Sequence, residues 1–212
     1  LNDDETWDDS IKEIVLKDWG MSPRQFFQSV GTGWFRNANE DHWVLRAKRA
    51  MDLAKLTGEE YPLPDDAHIK LAAQAFYGLT DQQALDSSKA ATIIPFWGMS
   101  PNNMFDFLKS KIQDFPNFLS IRNNRKIERP TRAVPSISSS DVIVFKDVRY
   151  ENEAAFVRGA EGQIWHICRD NISSVNAHCS EGGIQFEDGD ILIENNGSIE
   201  ELKVKILEAL AH

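Results

Sequence analysis

Two residues with chemistry to offer, Asp147 and Arg149, stand just past the apolar run Val142-Ile-Val-Phe145. A carboxylate can orient a ligand hydroxyl or a base edge, or sit beside a metal-bound water. A guanidinium pairs with a phosphate through two parallel N–H donors. At the carboxyl end of a strand in an open α/β sheet, such a pair lies where these sheets present their ligands. The same two residues can instead brace their own turn by an ion pair and capping bonds, and both readings stand at this point. Arg169 follows a second apolar run, Gln163-Ile-Trp-His-Ile-Cys168, and is either a further phosphate contact or an exposed strand-end arginine. His178 and Glu181, in the polar stretch beyond it, either serve a ligand or fix the loop by a hydrogen bond. No second histidine stands at zinc-ligand spacing, so no metal ligands are expected.

These residues need a scaffold, and 139–212 reads as one. A strand, Asp141 to Lys146, runs through the acid-plus-arginine turn into a helix opened by Tyr150-Glu-Asn-Glu-Ala154. Val142 to Phe145 suit burial on both sheet faces, and Asn152 and Glu153 suit a helix start. The strand ending at Cys168 leads through a long polar loop to the strand Ile191-Leu-Ile193. Ser198-Ile-Glu-Glu201 is a capping box for a final helix that should bury Ile199, Leu202, Ile206 and Leu210.

The first half carries an internal repeat: Trp19-Gly-Met-Ser-Pro23 recurs as Trp97-Gly-Met-Ser-Pro101. In that register Leu1, Asp3, Asp8, Ser10 and Phe27 match Leu79, Asp81, Asp86, Ser88 and Phe105. Ser22 and Ser100 sit where a helix N-cap belongs, each followed by proline at the first helical position. Gln25 completes a capping box in the first copy. Phe26, Phe27 and Val30 form an apolar stripe, and Gly31 is a natural helix stop. The cassette by itself is a device for starting a helix, its tryptophan packing over the turn. After the first copy a second helix carries Trp43, Ala47, Ala50, Met51 and Ala54 on one face. A further helix is expected over His68 to Tyr77. Residues 53–138 read as an inserted, mainly helical block, holding an acidic turn-rich loop at 58–66 and a short serine-rich linker, Ser136-Ile-Ser-Ser-Ser140. The basic run Arg122 to Arg132 is either a phosphate-binding arm or solvated surface. The chain thus divides into 1–52, 53–138 and 139–212.

Composition narrows the function. With 42% hydrophobic residues the 212-residue chain can build a sizeable core. A net charge of −10, spread along the chain, argues against a polymeric nucleic acid as partner, since such binding leans on a basic face. A mononucleotide needs only a few local arginines. The two cysteines, Cys168 and Cys179, have no metal-like spacing and read as free thiols of a reducing compartment or, less simply, one disulfide. No apolar run nears the ~20 residues of a membrane span and no signal peptide is recognised, so an intracellular, cytoplasmic protein is expected.

The passages Asp147-Val-Arg149, His178-Cys-Ser-Glu181 and Asp188-Gly-Asp-Ile-Leu-Ile-Glu-Asn-Asn-Gly-Ser198 resemble the deoxynucleoside monophosphate kinases of bacteriophages. Ser22 to Thr32, with Asp41-His-Trp-Val44, also resembles that family, on its acceptor-nucleotide side. The resemblance implies an α/β, P-loop-kinase-like fold: an open, mainly parallel sheet flanked by helices. It implies transfer of the ATP γ-phosphoryl group to a dNMP, giving a dNDP for phage DNA synthesis in the host cytoplasm, with ATP and Mg²⁺ required. Gln28, Thr32, Arg36 and Trp43 would then bind the acceptor. Arg149, Asp147 and Arg169 would act at the phosphates, and Asp170 to Ser180 would form a lid. The inserted block would offer a surface for a homodimer.

Phosphoryl transfer of this kind also needs a glycine-rich loop whose lysine cradles the donor phosphates. No Gly-x-x-x-x-Gly-Lys-Ser/Thr occurs in these residues, and Gly31-Thr-Gly33 is too short and lacks the lysine. Few strands are recognisable for an open sheet that must bury two faces. The expectation is therefore that a strand–loop–helix lies outside these residues or has been lost, and that they do not hold ATP in the usual way. A non-catalytic nucleotide-binding relative, or an interaction protein built on the same fold, is the alternative.

Overall fold

Ser22 caps the first helix, α1 (Pro23–Gln28), as its sequence demands: its hydroxyl accepts the Gln25 amide at 3.3 Å, and the Gln25 side chain accepts the Ser22 amide at 2.9 Å. The computed structural model describes residues 1, 5–6, 8–53, 62–64, 67–125, 142–169 and 183–210. The expected stop at Gly31 does not occur. Gly31 keeps a negative φ, and the helix widens into a π-helical segment, Ser29–Arg36. A π turn carries an extra residue, which brings Val30 and Phe35, five apart, onto one buried face (4% and 1% exposed). Core burial outweighs the local preference of glycine for a stop.

The chain divides into two units, Leu1–Asp141 and Val142–His212. In the first, α2 (His42–Leu53) and α3 (Ala67–Tyr77) are followed by α4 (Asp81–Leu85), the short 3-10 turn Ser87–Lys89, α5 (Pro101–Ile112) and α6 (Phe118–Asn123). One core joins Val30 and Phe35 to Ile69, Ala73, Tyr77, Leu79, Ile94, Met104, Phe105 and Leu108, so helices on both sides of residue 53 share it.

The repeat is a true structural duplication. Leu16 bridges Met21 and Ile94 bridges Met99 in the same antiparallel manner. Gly20 and Gly98 take φ of 64° and 65°, the left-handed region where a side chain is strained. Asp8 accepts from the Ser10 amide and hydroxyl, and Asp86 does the same from Ser88. The copies part at the helix: α5 runs unbroken where the first copy widens.

The C-terminal turn of α3 is held by side chains. Arg46 Nε donates to Ala75 O (2.8 Å), His42 Nε2 to Phe76 O (3.0 Å), Trp97 Nε1 to Tyr77 O (2.9 Å) and Arg49 Nε to Gly78 O (3.3 Å). These are the carbonyls a helix end leaves without intrahelical partners. Gly78 has φ 62°, and a Cβ there would meet Arg49 Cγ at 3.0 Å, so only glycine fits without adjustment.

In the second unit α7 (Glu151–Gly159) precedes two parallel strands, β1 (Trp165–Cys168) and β2 (Ile191–Glu194), and α8 (Ile199–Leu210). The architecture is thus mixed helix with a small parallel sheet. Trp165 pairs with Ile191 and Cys168 with Glu194. Two expectations are corrected. Val142 to Lys146 forms no strand, and Val142 and Val144 are 67% and 81% exposed. An apolar run becomes a strand only when another strand completes its ladder, and among the described residues none lies beside it. Ile199 and Leu210 of α8 are also exposed, at 67% and 61%, while Leu202 and Ile206 are half-buried. A two-stranded sheet is too narrow to cover the whole apolar arc. The capping box that begins α8 is present, with Ser198 N donating to Glu201 Oε2 at 2.8 Å and Glu201 N to Ser198 Oγ at 3.2 Å. The acidic loop 58–66 for the most part, the basic run beyond Arg125, the linker 136–140, and His178, Cys179 and Glu181 lie outside the described residues.

Candidate functional site

The turn between the run 142–146 and α7 is the strongest candidate. Asp147 adopts φ 61°, a left-handed backbone that costs a residue with a side chain. Such outliers concentrate at functional sites. The Asp147 carboxylate lies 3.7 Å from Arg149 Nη2, and the two side chains are 72% and 53% exposed. An ion pair this open to water is worth little, so it leaves the guanidinium available to a stronger anion. The backbone beneath is fixed: Glu153 Oε2 accepts the amides of Arg149 (2.9 Å) and Tyr150 (3.3 Å) at the start of α7. The turn is thus rigid in its main chain and open in its side chains.

Arg169 is exposed at the carboxyl end of β1 and makes no ion pair or hydrogen bond among the described residues. Beside it, Asn195 N donates to Cys168 O at 2.7 Å, and Lys205 Nζ donates to Glu194 O at 2.6 Å. The strand ends are therefore tied together where an open α/β sheet offers its ligand position.

Four further candidates belong to the first unit. Gln28 is exposed and ends α1; Thr32 and Arg36 are half-buried on the π segment. Their spacing by four puts all three on one side of the widened helix. Arg36 Nη1 reaches Glu40 O at 3.5 Å. Trp43 Nε1 donates to Gly31 O at 2.8 Å and the ring stands edge-on to Phe35, so this tryptophan holds the π segment in place. The candidates thus fall into two groups, Asp147, Arg149 and Arg169 in one unit and Gln28, Thr32, Arg36 and Trp43 in the other.

The most developed polar cluster escaped the sequence reading. Arg158 of α7 donates from Nη2 (2.6 Å) and Nε (3.2 Å) to the Asp190 carboxylate, and from Nη1 to Glu187 at 2.6 Å. Asp190 also meets His166 Nε2 at 3.0 Å and the Glu187 amide at 3.0 Å. Its side chain is 2% exposed, and the Arg158 guanidinium holds its carboxyl well below the usual carboxylate range. This knot fastens the segment before β2 to α7 and β1. The only sequence signal was the turn Asp188-Gly-Asp190. Among the described residues no group of three or more His, Cys, Asp or Glu is placed to hold a metal, and no helix is long and apolar enough to cross a membrane.

The second unit thus combines a small parallel sheet with an acid-plus-arginine turn and an arginine at a strand end. The model of the deoxynucleotide monophosphate kinase family matches residues 131–206. The chain is also 36% identical over 73 residues to the deoxynucleotide monophosphate kinase of Escherichia phage RB69, and 34% identical over 73 residues to that of Enterobacteria phage T4. Each alignment covers 34% of this chain and 30% of the relative, so the chain spans under a third of the length of the curated relatives it matches. The family likeness therefore lies in residues 131–206, the stretch that holds Asp147, Arg149 and Arg169. The family match does not reach residues 22–44. No solved structure matches the chain.

Proposed function

We propose that this chain binds a deoxynucleoside monophosphate and serves its phosphorylation by ATP. The observation that carries this reading is the family match over residues 131–206, which includes a turn where Asp147 is held at positive φ and Arg149 is left open to an anion. In the reaction an oxygen of the acceptor phosphate bonds to the γ-phosphorus as the bond to the β–γ bridging oxygen breaks and ADP leaves. Arg149 and Arg169 neutralise phosphate charge. Asp147 orients the acceptor. Catalysis of this type is positioning and charge neutralisation rather than covalent chemistry. Mg²⁺ sites draw on one or two carboxylates together with substrate phosphates, and Asp147, open to solvent, would sit near a metal-bound water.

The donor side does not fit these residues, because no Gly-x-x-x-x-Gly-Lys-Ser/Thr occurs in the sequence. For these residues taken by themselves it favours a second reading, nucleotide binding without transfer. ADP release from ATP and a dNMP separates the two.

Arg149→Ala tests the site. Charge-assisted hydrogen bonds to phosphate contribute about 1.5–3 kcal/mol, so dNMP affinity should fall roughly 10- to 100-fold with the melting temperature unchanged. A folded variant that binds dNMP as tightly as the parent removes Arg149 from the site.

A further inference from the structure

The two repeats hold their tryptophans alike but satisfy them differently. Trp97 Nε1 donates to Tyr77 O, in the last turn of α3. Trp19 Nε1, its repeat partner, is buried and has no hydrogen-bond acceptor among the described residues. A buried donor without an acceptor is rare in a folded chain.

The groups around Trp19 reproduce those around Trp97. Arg49 donates to Gln83 Oε1 at 3.1 Å, while Arg125 donates to both oxygens of Glu5 at 2.9 and 3.1 Å. Glu5 and Gln83 occupy the same position of the repeat. His42 stacks on Trp97 with ring centroids 5.4 Å apart, and Phe118 packs on Trp19 at 6.4 Å. The order His42, Arg46, Arg49 on α2 thus returns as Phe118, Arg122, Arg125 on and just past α6, with the same spacing of four and then three. The helix after the first repeat serves the second, and the helix after the second serves the first. Arg125 also stands near Leu1. Arg49 stands in the same way beside Gly78, just before Leu79, the repeat partner of Leu1.

What the second set grips is the end of an α-helix. We propose that the first repeat is likewise a receptor for the C-terminal turn of an α-helix directed at Leu1, with Trp19 and Arg125 donating to its last carbonyls. The chemistry is complementary: a helix end presents orphan acceptors and the negative pole of its dipole, and this pocket offers the Trp19 indole N–H beside the Arg125 guanidinium.

The sequence of residues 64–78 joined directly to Leu1, in the register in which it precedes Leu79, provides the probe. In this extended chain the added amides should exchange with solvent at least tenfold more slowly than in the free peptide. The indole N–H resonance of Trp19 should move while that of Trp97 stays. Trp19→Phe and Arg125→Gln, each made in the extended chain, should return the added amides toward unprotected exchange. An added segment that stays unprotected, or protection that survives both substitutions, overturns the proposal. Arg125→Gln leaves the aromatic packing intact and so decides the matter even where Trp19→Phe disturbs folding.

Discussion

Phe35→Ala should cost the first unit about 3–5 kcal/mol, the range for emptying a filled aromatic core position. Phe35 is 1% exposed and sits at the centre of a ring cluster: His42 at 4.3 Å, Phe76 at 4.9 Å, Trp43 and Phe107 at 5.5 Å, Tyr77 at 5.6 Å. These rings come from the π segment, α2, α3 and α5, so no single element can close the cavity alone. A loss of this size is comparable to the whole stability of many small domains. Urea unfolding followed by tryptophan emission reads it directly, since five of the six tryptophans lie in this unit. A shift below about 1 kcal/mol would mean that the cluster repacks and that the π segment is not held by Phe35.

His42 should make the same unit sensitive to mild acid. It is 3% exposed, and burial is the main reason its pKa falls from 6.5 to about 4. The hydrogen bond to Phe76 O opposes that shift, and the nearby Arg46 adds to it. The folded pKa is below the unfolded one, so between pH 6.5 and 4 the unfolded chain binds a proton that the folded chain refuses. Stability from this group is complete above pH 6.5, erodes as the pH falls toward 4, and changes no further below that. After allowance for partial solvent screening, the loss is about 2 kcal/mol. His42→Gln, which removes the titrating group, should flatten the dependence of unfolding free energy on pH across that window. An unchanged slope in the variant would assign the acid sensitivity to other groups.

Local chemistry carried far in the sequence, and long-range pairing did not. The caps at Ser22, Ser100 and Ser198, the duplicated turn and both parallel strands follow from neighbouring residues, which is why they could be read. Gly31 failed as a stop because Phe35 had a core to reach, and that core is assembled from α2, α3 and α5. Val142 to Phe145 has strand composition, yet ladder partners, which no composition supplies, decide whether a strand forms. The Arg158–Asp190–His166 knot joins residues 24 and 32 positions apart, beyond any local pattern. In the site, the family-like turn at Asp147 and Arg149 was visible as a motif. The left-handed backbone of Asp147 was not, because nothing in the flanking residues demands it.

Calorimetric titration of the chain with deoxynucleoside monophosphates, each run beside its unphosphorylated deoxynucleoside, tests the central claim most directly. The account predicts that at least one dNMP binds and that its nucleoside binds at least tenfold more weakly, because the arginines grip the phosphate. Equal affinity with and without the phosphate, or no binding of any dNMP, would contradict it.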